Sequence, residues 1–287
     1  MERKFLKITT IIALLLCSCI AFNSCEKESP YNPEQKIKKI YSWNELRQEW
    51  TWDDDKLTSI FYYDKNFITN IESYIYDKNR LLKKIEDKYG YYQISYSNSR
   101  YKKIEYFDKE SVLMGIWDFS YRNNKVYQIK FMYSNDYLID KITKGGFISS
   151  LIAKEFISLI EHSPKGAKES YVTFTYKYEG DNIAQLKLEF EGTENSATLV
   201  YKSYDIMQNP FYRQIDLDNS IYNPHLYTLF LTSKNNPLEL ELYENESLFI
   251  IHYYSYVYDN ELPIEVENRF DWEGHQSISK ISYEYYK

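Results

Sequence analysis

Along most of this chain, hydrophobic and polar positions follow one recurring cassette. Two aromatic residues stand two positions apart, a polar quartet follows, and aliphatic residues come next. Trp50-Thr51-Trp52 is followed by Asp53-Asp54-Asp55-Lys56, then Leu57 and Ile60. Tyr74-Ile75-Tyr76 is followed by Asp77 to Arg80, then Leu81, Leu82 and Ile85. The pattern returns at Ile94-Ser95-Tyr96, Phe119-Ser120-Tyr121, Tyr176-Lys177-Tyr178 and Phe270-Asp271-Trp272. Residues two apart in a strand share a face, so each aromatic pair points one way. Quartets rich in Asp, Asn, Gly and Ser suit tight hairpin turns. The next strand then sets aliphatic residues opposite aromatic ones. Anchors at 52, 76, 96 and 121 lie 24, 20 and 25 residues apart, the length of one hairpin per copy. The pattern predicts an all-β fold, a large curved antiparallel β-meander, either open or barrel-like.

Two stretches break the alternation. Phe147, Ile148, Leu151, Ile152, Phe156, Leu159 and Ile160 recur at helical spacing, after Gly145-Gly146 and before Ser163-Pro164. This predicts one helix near 147–160 within an insertion over 145–162, packed against the sheet or serving as a lid. Residues 203–226 carry Asn209-Pro210 and Tyr222-Asn223-Pro224, which read as the breaks of a long connection. Long connections often carry function, so a site is sought there.

Composition narrows the classes. Of 287 residues, 32 are Tyr, 15 Phe and 5 Trp, which favours strands. A net charge of −7 gives a nucleic-acid partner no electrostatic support. The three cysteines, at 17, 19 and 25, all lie near the N-terminus, so the body has neither a disulfide nor a thiolate metal site. Arg3, Lys4 and Lys7 precede the apolar run Ile8–Leu16, which has the shape of an export signal and is short for a membrane span. Ala21-Phe22-Asn23-Ser24-Cys25 resembles the loose lipobox of Bacteroidota lipoproteins. That resemblance implies cleavage before Cys25 and acylation of its thiol, with Cys19 as the alternative. The expected organisation is a signal peptide over 1–24, a flexible tether over 25–36 and a single β-meander domain over 37–287. The expected address is the outer membrane, on its periplasmic or its surface face.

Local signatures of chemistry are absent. Histidines 162, 225, 252 and 275 form no metal-binding pair, and no nucleophile elbow, phosphate loop or dinucleotide fingerprint occurs. Asp53-Asp54-Asp55 lacks the spaced ligands of a calcium loop and reads as a solvated turn. No catalytic residue, metal or cofactor is expected. Carboxylates are plentiful, so a hydrolase pair without a sequence signature is a third reading. Aromatic residues either fill such a sheet or stack against a ligand such as a glycan. The binding candidates are Trp52, Tyr76, Tyr96, Tyr121 and Trp272. Charges on both faces of Leu81–Lys88 argue against a lipid-facing barrel.

Tyr74-Ile75-Tyr76-Asp77 with Leu81 also resembles the YD repeat of bacterial shell-forming proteins, without its glycine and with an irregular period. Leu231 to Leu238 and Tyr256 to Ile264 resemble a Bacteroidota lipoprotein family of unknown function with a porin-like curved antiparallel sheet. The resemblance implies a fold and an envelope address, and no activity. The chain is therefore expected to be a membrane-tethered binding module for a glycan or an envelope protein. A purely structural or assembly role is the alternative.

Overall fold

A computed structural model describes residues 35–133, 170–192, 194, 196–212, 233–272 and 275–286. The export segment, Cys19, Cys25, most of the tether and the helix expected at 147–160 lie outside the described residues. Sixteen strands form one closed antiparallel barrel in sequence order, with β1 pairing β16. The first eight are β1 (Ile37–Ser42), β2 (Glu45–Asp53), β3 (Lys56–Asp64), β4 (Phe67–Tyr76), β5 (Leu82–Glu86), β6 (Gly90–Ser97), β7 (Arg100–Asp108) and β8 (Leu113–Arg122). The rest are β9 (Lys125–Tyr133), β10 (Ser170–Glu179), β11 (Asn182–Phe190), β12 (Ser196–Gln208), β13 (Asn235–Glu244), β14 (Ser247–Asp259), β15 (Leu262–Trp272) and β16 (His275–Tyr285). Closure pairs Ile40 with Tyr283 and Ser42 with Ile281, so no open sheet edge remains at the seam.

The barrel has two rims. The first carries the β2–β3, β4–β5, β6–β7, β8–β9, β10–β11 and β14–β15 turns, and β1 starts there. The second carries the intervening turns. Backbone chemistry fits these turns: Asn98-Ser99 and Asn123-Asn124 at the first rim, and Lys65-Asn66 and Asn245-Glu246 at the second, all have positive φ. Paired left-handed residues make the two-residue hairpin whose twist matches the strands.

One device repeats at the first rim. Thr51 pairs Ser59 while Trp52 pairs Leu57, so Thr58 is an extra residue in β3. Lys83, Lys102, Tyr127, Ala184 and Ile264 are the corresponding extra residues of β5, β7, β9, β11 and β15. A single-residue bulge shifts the pleat by one. Residues three apart, which a regular strand would put on opposite faces, therefore share one. Leu57 and Ile60, Leu82 and Ile85, and Ile183 and Leu186 all reach 0% exposure.

These residues join Trp50, Trp117, Phe131 and Phe174 in one buried cluster that lines the inside of the barrel. Full burial of apolar side chains is the main stabilising term, about 1.5–3 kcal/mol for each large one. Much of the outer face is charged, with uncharged stretches on β4 and β14. Lys39–Glu49 (3.8 Å), Lys103–Glu105 (3.6 Å), Lys187–Glu189 (2.7 Å) and Lys280–Glu265 (2.7 Å) lie across or along neighbouring strands. A lipid-facing barrel needs the reverse pattern, apolar outside.

Candidate functional site

The cassette's second aromatic closes each first-rim hairpin, and its polar atom has a fixed destination. Tyr76 donates to the Leu57 carbonyl (2.8 Å), Tyr96 to Leu82 (2.7 Å) and Tyr121 to Tyr101 (2.8 Å). The Trp52 indole donates to Ile37 (2.8 Å), Tyr204 to Ile183 (2.6 Å) and Tyr285 to Pro263 (2.7 Å), while in Tyr256-Val257-Tyr258 it is the first aromatic, Tyr256, that donates to Pro237 (2.8 Å). Every even-numbered strand except β10 thus bonds the start of the strand before it. The acceptors on β3, β5, β7, β11 and β15 are the residues just before the bulges, where the ladder is broken and a carbonyl needs another donor. On β10 the Tyr178 hydroxyl is buried without a hydrogen-bond partner. Burial pushes the phenols of Tyr96, Tyr121, Tyr204 and Tyr285 well above the usual tyrosine range.

The ring faces are engaged as well. Trp52 stacks on Trp50 at 6.2 Å, and Tyr178 on Tyr176 at 6.5 Å. The last residue of the polar quartet supplies a cation: Lys56 lies over Tyr76 (5.5 Å), Arg100 over Tyr121 (5.5 Å) and Lys125 over Tyr178 (5.2 Å). Of the sequence candidates, Trp52, Tyr76, Tyr96 and Tyr121 therefore stand together at one mouth of the barrel, half-buried. Trp272 does not join them. It pairs with His275 across the β15–β16 turn, at the second rim and without a bulge. The β14–β15 member of the first-rim ring is Tyr256-Val257-Tyr258 instead.

The connection after β12 begins later than the sequence suggested, because residues 203–208 belong to that strand. Asn209-Pro210 then turns the chain inward and places Phe211, at 0% exposure, 6.5 Å from Trp50 and 5.7 Å from Tyr283. A partly buried polar network clamps this junction. Asp205 Oδ1 accepts from the Asn236 amide (3.1 Å), and Asp205 Oδ2 accepts from the Asn236 side chain (3.2 Å) and from Tyr258. The Asn209 side chain donates to Ser233 O at 3.1 Å. Residues 213–232 lie outside the described ones.

Sequence reasoning did not single out the polar groups inside the barrel. The Glu72 carboxylate is fully buried and accepts from Tyr62 (2.6 Å) and Tyr74 (3.2 Å). His252 is buried 3.3 Å from Asn268, and burial pushes its imidazole down to about 4. Their inward aim is visible only once the bulges have fixed which face is which. Among the described residues, no three His, Cys, Asp or Glu side chains group as metal ligands. Asp54 and Asp55 of the triple-Asp turn face Arg80.

Two solved structures share this architecture. One is a porin-like protein from Bacteroides uniformis ATCC 8492, 11% identical, with a TM-score of 0.53 over 90% of this chain and 98% of its own. The other is a porin-like protein from Bacteroides vulgatus ATCC 8482, also 11% identical, with a TM-score of 0.50 over 88% and 99%. This chain shares their fold. No protein-family model and no curated protein matches it. At that identity the likeness speaks for the barrel, and function must be argued from the residues.

Proposed function

We propose that this chain is a non-enzymatic, lipid-anchored protein of the bacterial cell envelope that works as a binding module through the rims of its barrel. The observation that carries this reading is the wall: ion pairs lie on the outside of many strands, interrupted by exposed Ile71, Ile75, Tyr253 and Val257 on β4 and β14, and apolar side chains at 0% exposure line its inside. Lipid does not solvate the first surface, and water does not wet the second, so neither a membrane-spanning pore nor an aqueous channel suits this barrel. What remains for function is the two ends. The Bacteroides source of both porin-like neighbours fits an envelope address.

The tether supports the same reading. β1 starts at the first rim, so a lipid on Cys25 would hold that rim toward the membrane. Residues 25–36 would span at most about 40 Å when extended. A glycan stacking at the first-rim mouth would have to displace Lys56 and Arg100 from their rings.

Fractionation of Cys25→Ser and Cys19→Ser cells tests the anchor. Release by Cys25→Ser alone is expected; release by Cys19→Ser alone would move the lipid site. Planar bilayers test the wall, where reproducible conductance steps would sink the reading. A glycan array probed with residues 26–287 tests the mouth. A hit lost in Tyr76→Ala and Tyr121→Ala would place the ligand there.

A further inference from the structure

The two rims differ in chemistry. Among the described residues, the first-rim turns Asp53 to Lys56, Asp77 to Arg80, Ser97 to Arg100 and Arg122 to Lys125 are polar, and the large apolar side chain exposed near that rim is chiefly Ile206 at the end of β12, 89% exposed. In the first-rim turns acids and bases are closely matched, and Arg80 and Lys125 pair with Asp55 and Asp181. The second rim lifts large apolar side chains into water at one hairpin tip after another. Trp43 is 59% exposed at the β1–β2 turn and Phe67 75% exposed at the β3–β4 turn, with Ile68 beside it. Val112 and Leu248 do the same at the β7–β8 and β13–β14 turns. Neighbouring hairpins place their tips about 10 Å apart, so these groups form an arc around one end. Turn geometry does not demand them. Trp43 even holds a left-handed conformation (φ 52) that a bulky residue rarely adopts.

Charge tells what the arc fits. Among the described residues its turns carry Asp64, Asp87, Asp108, Glu110, Glu191, Glu194 and Glu246, against Lys65, Lys88 and Lys109, and Glu191 pairs with Lys130 at 3.7 Å. Arg47 is held at the foot of the first of these turns by Glu45 (2.5 Å) and Asp64 (3.2 Å). Exposed apolar groups inside an acidic field repel anionic lipid and attract a cationic partner.

We propose that the second rim is a docking surface for a protein partner that presents apolar side chains among lysines or arginines. This deepens the binding-module reading and rests on it, but it does not need the lipid anchor. Trp43 and Phe67 are the anchors, and the surrounding carboxylates steer the approach.

The chain from Glu26 keeps the whole barrel and leaves out every native cysteine, so one added thiol can report the occupant. Ser247→Cys, beside Leu248, is labelled with a photocrosslinker, and Lys78→Cys at the first rim is the control. The probes are a synthetic amphipathic leucine–lysine helix, the same helix with glutamate for lysine, and vesicles of phosphatidylethanolamine and phosphatidylglycerol. Crosslinking to the lysine helix at Ser247→Cys alone is expected. It should weaken about tenfold when ionic strength rises from about 0.01 to about 0.15 M, and about tenfold in a Trp43→Asn, Phe67→Ser background. Equal labelling by the glutamate helix, or none above the control, would overturn the proposal. So would crosslinks to vesicle lipid, to a second copy, or to residues 134–169 of the same chain. Such a failure leaves the module reading to be judged by the conductance and fractionation results.

Discussion

The Tyr96 hydroxyl donates to the Leu82 carbonyl oxygen at 2.7 Å, and Leu82 immediately precedes the extra residue of β5. The bond joins two faults in the regular ladder, a bulge and a strand end. Removing it leaves a half-buried carbonyl with one donor fewer, at about 1 kcal/mol. Tyr96→Phe should therefore lower the unfolding free energy by that amount, read as a lower urea midpoint with the slope unchanged. Tyr76→Phe and Tyr121→Phe should each do the same, since each removes one such bond between neighbouring hairpins. Tyr178→Phe is the internal control. Its hydroxyl is buried with no partner, so the change should be neutral or slightly stabilising. A loss at Tyr178 equal to that at Tyr96 would mean that the ring edge, not the hydrogen bond, carries the effect.

Much of this was legible in the sequence. Aromatic pairs with polar quartets marked five of the first-rim hairpins, and the Lys or Arg closing the quartet proved to cover an aromatic ring. The three-residue spacing of Leu57 and Ile60 was visible too, but its cause was not. Alternation alone would have split that pair across the sheet, and only the paired register shows Thr58 as the residue that reunites them. The copy at Trp272 does form a hairpin, but at the rim opposite the other five, and the sequence could not show that. An aromatic pair before Gly looks the same at either end of a meander, and the missing bulge is a property of pairing. Closure was also beyond the sequence, because the β1–β16 contact joins segments of no local similarity.

The bulges lead to a deletion experiment. Lys83 is exposed and contributes little by its side chain, so Lys83→Ala should change stability by less than about 0.5 kcal/mol. Deleting Lys83 should be tolerated as well. Leu82 and Ile85 then stand two apart, so regular alternation keeps both inside, opposite Tyr76 and Tyr74, and keeps Lys84 outside, opposite Ile75. What is lost is the local twist of the bulge and the geometry that presents the Leu82 carbonyl to Tyr96, at about 1 kcal/mol. Circular dichroism and urea unfolding of the deletion variant against Lys83→Ala check it. An unfolded deletion variant would show that the barrel needs the bulge itself, and not only the facing of the side chains around it.

Gly90 and Gly180 separate close approach from backbone freedom. A Cβ on Gly90 would lie 2.1 Å from the backbone oxygen of Phe107 on β7, a contact that only strand displacement relieves. Gly90→Ala should therefore cost about 3 kcal/mol or more, at the upper end of overpacking. Gly180 has φ +57 and nothing within 4 Å of its Cβ position. Gly180→Ala should cost about 1 kcal/mol, and Gly180→Asn less, because Asn tolerates the left-handed region. Thermal melts of the three variants rank the effects. If Gly90→Ala melts with the wild type, β6 does not approach β7 as closely as the register requires.

His252 gives the barrel an acid limit that can be separated from its many carboxylates. Burial lowers the imidazole from 6.5 to about 4, the Asn268 contact opposing that shift only in part. The folded chain therefore takes up this proton less readily than the unfolded chain. Stability from neutral His252 is complete above about pH 6.5 and is lost as pH falls toward 4. The loss grows by about 1.4 kcal/mol per pH unit, reaching on the order of 3 kcal/mol. Carboxylates titrate in part of the same window, so the wild type alone is uninformative. The difference between wild type and His252→Gln isolates this component. Urea unfolding at intervals from pH 7 to 4 should show the wild type losing its lead over the variant as pH drops, with no further change once the folded-state value is passed. A difference flat in pH would mean that His252 is protonated as readily inside the barrel as in water, and that its surroundings are wetter than 4% exposure implies.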